Sequence, residues 1–136
     1  VAVVALDGDE VVLVRQYRPV LEREMLELPA GKLDVPGEDR PTAARRELVE
    51  EAGLDAVDLI ELGSFHNSIG FSDEATTIYL ATELVPATPL AASIEEEYLT
   101  VVRVGLGEVE GLVGDGTITD AKTILGLLWT LRRLGR

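Results

Sequence analysis

The sequence predicts an α/β fold in which a mixed β-sheet is sandwiched between helices. Six β-rich runs are interleaved with two main helical stretches instead of being gathered into one block, the pattern that layers helices on a sheet. The 136 residues are 46% hydrophobic, enough for one domain that buries roughly two-thirds of its unfolded surface. Turn signals such as Asp7-Gly8-Asp9, Pro29-Ala30-Gly31 and Pro36-Gly37 separate the runs.

Val1 to Leu6 and Val11 to Tyr17 are β-rich runs around Asp7-Gly8-Asp9 and are expected to form a hairpin. Glu24 to Leu28 alternates polar and apolar residues and is expected to form a third strand, stopped by Pro29-Ala30-Gly31. A loop from Lys32 to Glu38 then leads into a helix over about Arg40 to Ala52. Asp39 suits its N-cap, Pro41 its first turn and Gly53 the left-handed residue that ends it. Ala44 and Leu48 then face inward. Val57 to Phe65 and Thr76 to Thr82 are expected strands joined by the loop His66 to Glu74. Pro86 to Ala92 is a loop, Leu99 to Val104 the last strand, and Leu106 to Val113 suits a short helix. Beyond Asp115-Gly116, about Asp120 to Leu134 form a C-terminal helix capped by Asp120, with Ile124, Leu127, Leu128 and Leu131 as its apolar stripe. Trp129 on that helix reads as core.

The net charge of −13 makes a nucleic-acid backbone or an anionic membrane surface an unfavourable partner. No apolar run approaches the roughly 18–20 residues that a membrane span needs, and there is no internal repeat or low-complexity tract. The absence of cysteine excludes disulfides and thiolate metal sites. No targeting signal is visible, and a cytoplasmic location is expected. Because the chain opens on Val1 within a strand, one domain over residues 1–136 preceded by a further N-terminal segment is expected.

The helix over Arg40 to Ala52 carries Glu47, Glu50 and Glu51 in its last turn, at positions i, i+3 and i+4, on one face. Each like-charge pair at this spacing costs roughly 0.2–0.5 kcal/mol, and acids near a helix C-terminus also oppose the macrodipole. A divalent cation reverses both penalties, and clustered carboxylates suit hard ions such as Mg²⁺ or Mn²⁺. The bland alternative is a solvated acidic face in a chain that is acidic throughout.

Counting backward from Leu54 gives Gly53, Glu51, Glu50, Leu48, Glu47, Arg46 and, after seven residues, Glu38. This resembles the Nudix box, G-x5-E-x7-R-E-U-x-E-E-x-G-U with U aliphatic, and every fixed position from Glu38 onward matches. The opening glycine departs: Gly31 lies seven residues before Glu38, so the loop carries one residue more than the pattern. Outside the box, RQYRP (Arg15 to Pro19), ELPAGKLD (Glu27 to Asp34), GFSDE (Gly70 to Glu74) and ITDAKT (Ile118 to Thr123) together resemble the ADP-ribose pyrophosphatase branch. The resemblance covers nearly the whole chain. A second departure is Ile69 in Ser68-Ile69-Gly70, where that branch usually carries proline.

The resemblance implies a Nudix-type α/β/α sandwich and metal-dependent hydrolysis of ADP-ribose to AMP and ribose 5-phosphate, with more than one Mg²⁺ or Mn²⁺ ion and a homodimer at full length. Glu47, Glu50 and Glu51 would be metal ligands, joined by the Ala30 carbonyl, and Arg46, on another face, would orient a glutamate. Arg18 and Glu27 would contact the nucleotide, and Arg15, Gly31 and Lys32 are further substrate-side candidates. For the arginines, ordinary strand-edge solvation is an equal alternative. The general base would be a glutamate well downstream of the box: Glu96 within Glu95-Glu96-Glu97, with Glu74 the alternative. His66, the single histidine, reads as structural. Phe65, Phe71 and Tyr17 could stack on adenine, although aromatics at strand ends usually complete a core. The competing activities are hydrolysis of another sugar nucleotide such as GDP-mannose, and nucleotide binding without cleavage, which the complete carboxylate set argues against.

Overall fold

The computed structural model describes residues 1–89 and 98–136. Six strands form one sheet: β1 (Ala2–Asp7), β2 (Glu10–Arg18), β3 (Arg23–Glu27), β4 (Leu54–His66), β5 (Ala75–Pro86) and β6 (Thr100–Gly105). The order is β3-β2-β1-β5-β4, with β6 also paired to β2; β1 and β5 run parallel and the other pairs antiparallel. Helices α1 (Arg40–Ala52), α2 (Val109–Gly114) and α3 (Ala121–Arg133) complete the fold.

Alternation in the central strands separates two cores, as expected for residues that point to opposite faces. Ala2 and Val4 of β1, Val11 and Leu13 of β2, and Ile78 and Leu80 of β5 pack with Val109, Leu127 and Leu131 of α2 and α3. Val3, Ala5, Val12, Tyr79 and Ala81 face the other way and pack with Ala43, Ala44 and Leu48 of α1. The sheet is therefore covered on both sides, and the expected sandwich is observed.

α1 has the predicted bounds. Asp39 accepts a hydrogen bond from the Thr42 N–H at 2.9 Å, and Gly53 closes the helix at φ 68° with its N–H on the Val49 carbonyl. α3 departs from its predicted stripe. Its buried residues are Thr123, Gly126, Leu127, Thr130 and Leu131, and Leu128 is exposed. The contact face is rotated toward small residues because α3 lies very close to the sheet: a Cβ at Gly126 would stand 2.7 Å from Leu28 Cδ1 and 3.0 Å from Val4 Cγ2. Asp120 occupies the N-cap position, yet its carboxylate binds Lys122 and Thr123 side chains instead of capping a backbone N–H. Trp129 packs edge-on to Phe65, with ring centroids 6.5 Å apart.

The sheet opens where the functional residues collect. Val11 and Val12 pair with both β1 and β6, and Val14 and Arg15 with both β3 and β6. So β1 and β3 share one edge of β2, and β3 diverges beyond the start of β1. Pro29 to Gly31 then run beside that start: Val3 N–H donates to the Pro29 carbonyl at 2.9 Å and Gly31 N–H to the Val1 carbonyl at 3.1 Å. The Leu28 N–H binds Thr123 Oγ1 at 3.0 Å, tying the same segment to α3.

The close approach at Gly126 gives a prediction. Alanine is the better helix former by roughly 1 kcal/mol, but overpacking a filled core costs about 1–3 kcal/mol. Gly126→Ala is expected to lower the midpoint of urea unfolding; an unchanged or raised midpoint would show that α3 has room to shift.

Candidate active site

The end of β2, the segment after β3, the last turn of α1, the start of β5 and the start of α3 surround a cleft of about 660 Å³, lined among others by Arg18, Ala30, Gly31, Lys32, Glu47, Glu50, Glu51, Glu74 and Lys122. One wall of it is acidic. The Glu47 carboxylate lies against Gly31 so closely that a Cβ there would fall 2.0 Å from Glu47 Oε1. Any side chain at this point would displace the Glu47 carboxylate from where it stands. The extra loop residue does not disturb this contact; the loop closes on itself through the Glu38 N–H to the Val35 carbonyl.

Glu51 turns inward and accepts the Ala30 N–H at 3.1 Å. Burial pushes its carboxyl up to about 8, with the Ala30 hydrogen bond working the other way and the Glu47 charge adding to the rise. Glu47 and Glu50 turn to Arg46 instead. The Arg46 guanidinium grips Glu38 through Nε and Nη2 at 3.0 Å each, and its Nη1 reaches Glu47 at 3.0 Å and Glu50 at 3.2 Å. These hydrogen bonds, chiefly those to Glu38, hold Arg46 more firmly protonated than usual.

Two expectations are corrected here. Arg46 is not confined to another helix face, because its long side chain folds back over the carboxylates. Nor do the three glutamates converge on one point: among the described residues no three acids, histidines or cysteines are grouped to hold an ion as they stand. Arg46 relieves the charge of Glu47 and Glu50, while burial raises the pKa of Glu51. The donors still suit a hard divalent ion, since Glu47, Glu50 and Glu51 supply only oxygen and line one cleft. Ala30 also lines it and meets Glu51 through its N–H.

Arg18 and Lys122 of the same cleft belong to a charged cluster built on Glu27, which is 3% exposed. Arg18 donates to both of its oxygens, Nε at 2.8 Å and Nη2 at 2.7 Å, and Lys122 Nζ donates at 3.1 Å. The fork onto Glu27 raises the affinity of Arg18 for its proton. Glu27 therefore serves as an anchor for two cations. Removing one partner of a buried ion pair typically costs about 3–5 kcal/mol, because the other charge is stranded.

Glu74 and Lys32 line the cleft as well, and both continue into an adjoining groove of about 480 Å³ with Arg40, Ser64 and Thr77. Arg15 is not among the lining residues; it faces Glu24 at 3.8 Å. His66 and Ile69 are exposed and lie outside the cleft. Phe65 belongs to the core, whereas Phe71 and Tyr17 are exposed and complete no core. Glu95, Glu96 and Glu97 fall outside the described residues.

The NUDIX domain family model matches residues 1–123. The chain belongs to the Nudix family. It is 40% identical over 124 residues to the ADP-ribose pyrophosphatase of Bacillus subtilis (strain 168), covering 90% of this chain and 66% of that protein. It is 37% identical over 128 residues to the methanol dehydrogenase activator of Bacillus methanolicus, covering 93% and 69%. A crystal structure of an ADP compounds hydrolase superposes with a TM-score of 0.88 at 30% identity, covering 99% of this chain and 73% of that one. The chain thus spans about two-thirds of the length of the curated relatives it matches.

In this Nudix domain Glu47 and Glu51 of the box contact the Ala30-Gly31 turn, and Glu50 lines the same cleft. Sequence reading missed Lys122, together with Gln16, Asn67 and Thr76 of the same cleft. A signal existed for Lys122. A cation in the first turn of a helix opposes the macrodipole, so its place two residues after Asp120 called for a partner such as Glu27.

The Glu51 environment sets a pH dependence. Its carboxyl ionises near the ordinary 4.5 when unfolded and near 8 when folded, so the stability gained by keeping it protonated is full below about 4.5 and is lost as pH rises through 8. The loss is at most about 1.4 kcal/mol per pH unit. In EDTA, Glu51→Gln should flatten this decline and melt above the wild type at pH 8, since its amide oxygen still accepts the Ala30 N–H. Parallel pH profiles for the two proteins would contradict the buried, protonated Glu51.

Proposed function

We propose that this Nudix domain hydrolyses the pyrophosphate bond of ADP-ribose to AMP and ribose 5-phosphate, using divalent cations held by Glu47, Glu50, Glu51 and the Ala30 carbonyl. The observation that carries the reading is that the all-oxygen acid set Glu47, Glu50 and Glu51 and the cations Arg18 and Lys122 line one and the same cleft. The relative from Bacillus subtilis named as an ADP-ribose pyrophosphatase lends support. Bound Mg²⁺ or Mn²⁺, as more than one ion, would polarise phosphoryl oxygens and lower the pKa of water.

The protein's own contributions follow from its geometry. Glu47 and Glu50 would hold the cation, and Arg46, which contacts both, is anchored on Glu38. Gly31 and Lys32 border the substrate, and Arg18 presents guanidinium N–H groups to it. Water attacks phosphorus, the bridging P–O bond breaks, and a carboxylate accepts the proton of the water. We assign that base to Glu96, supported by Leu99, three residues later in sequence, lining the cleft. Glu74, itself a lining residue, is the alternative.

A second reading keeps the chemistry and broadens the substrate to other nucleoside diphosphate sugars, GDP-mannose included. It is favoured by the ADP compounds hydrolase title of the structural neighbour. The full-length protein is proposed to be a homodimer, supported by the exposed Tyr17, Val20, Leu21, Tyr98 and Val101. Among the described residues no helix is long and apolar enough to cross a membrane.

A panel of nucleotide sugars incubated with Mg²⁺ and analysed for products tests the assignment. AMP and ribose 5-phosphate are expected from ADP-ribose, and GMP from GDP-mannose with no AMP from any substrate would overturn it. Glu51→Gln should abolish turnover. Glu96→Gln should lower kcat about 10²- to 10⁴-fold, by more than Glu74→Gln does; the reverse order would move the base to Glu74.

A further inference from the structure

We propose that Lys122 and Arg18 form a paired phosphate-binding site, and that Glu27 is a positioning residue that holds both cations. The inference rests on the reading of this cleft as a site for a nucleoside diphosphate, and it gives a role to Lys122, which lies within the ITDAKT segment but was assigned none there. Glu27 comes from the end of β3, Arg18 from the end of β2 and Lys122 from the first turn of α3, so three elements converge on one carboxylate. Both Glu27 oxygens accept from Arg18, and one also accepts from Lys122. With 3% of its surface exposed, Glu27 has little left to offer a substrate.

The donors on the cations are not used up. An ammonium has three N–H bonds, and Lys122 gives one to Glu27 and one to Asp120 at 2.8 Å. A guanidinium has five, and Arg18 gives two to Glu27. Both side chains line the cleft, together with the Glu47, Glu50 and Glu51 wall. Arg18, Lys122, Glu27 and Asp120 carry two charges of each sign, so the cluster draws no anion by net charge. Its attraction for an anion is short-range, resting on the N–H groups that both cations keep spare while lining the cleft. A helix start is an unfavourable place for a lysine; the ion pairs with Glu27 and Asp120 keep it there.

The competing account is that Arg18 and Lys122 merely neutralise a buried carboxylate. Calorimetric binding of ADP in the presence of Mg²⁺ separates the two without requiring turnover. Lys122→Met should weaken ADP binding about 10- to 100-fold, the loss expected for a charge-assisted hydrogen bond, in a protein that still melts cooperatively. Lys122→Arg should restore most of the affinity. Glu27→Gln should weaken ADP at least as much as Lys122→Met, because an amide releases both cations. Wild-type ADP affinity in Lys122→Met, or no ADP binding by the wild type, would overturn the proposal. ADP binding that depends on Lys122 without hydrolysis of ADP-ribose would instead sink the proposed reaction and leave this site standing. Should Lys122→Met fail to fold, Lys122→Gln decides: wild-type ADP affinity would overturn the proposal, and weaker ADP binding by the folded variant would support it.

Discussion

Ala30 and Gly31 lie pressed between the start of β1 and the last turn of α1, and the remainder of the cleft is arranged around that contact. The Ala30 N–H fixes Glu51 from one side, and the missing side chain of Gly31 makes room for Glu47. The same segment is locked to β1 by backbone hydrogen bonds and to α3 through Leu28 and Thr123. Two carboxylates of the Nudix helix thus owe their positions to a four-residue stretch outside it. A helix alone could bring three glutamates to one face, but it could not decide which turns inward and which faces the cleft.

Charge is gathered into two local clusters in a molecule with a net charge of −13. Arg46 gathers Glu38, Glu47 and Glu50, while Glu27 gathers Arg18 and Lys122. The first arrangement places one cation among acids and so leaves the wall receptive to further positive charge. The second joins one acid to two cations that line the cleft and keep donors to spare. Long-range attraction of a polyanionic substrate is unfavourable for such a chain. Recognition must then come from these two short-range arrangements acting together.

Much of this was legible in the sequence because it depends on local spacing. Asp39, Pro41 and Gly53 mark the bounds of α1 by capping chemistry, and the i, i+3, i+4 pattern identifies Glu47, Glu50 and Glu51 as neighbours. What was not legible depends on contacts between distant segments. Arg46 was read as lying on another face although its i,i+4 spacing to Glu50 already pairs those two; only its reach to Glu47 and Glu38 depends on how the side chain folds. Glu27 looked like a substrate contact because its partners lie nine residues before it and ninety-five after it. The α3 stripe was misread at Leu128 for a similar reason: hydrophobicity points to leucines, whereas close packing on Leu28 and Val4 selects Gly126 and the threonines.

The claim at the centre of this account is that the α1 carboxylates exchange Arg46 and a proton for a divalent cation. Electron paramagnetic resonance of Mn²⁺ titrated with the full chain, at pH 6.5 and pH 8.5, measures that exchange directly. Uptake is expected at both values and should be tighter at pH 8.5, where Glu51 is ionised, and Glu47→Gln should reduce it sharply. Mn²⁺ that stays free with the wild type, or binds equally well to Glu47→Gln, would contradict the account.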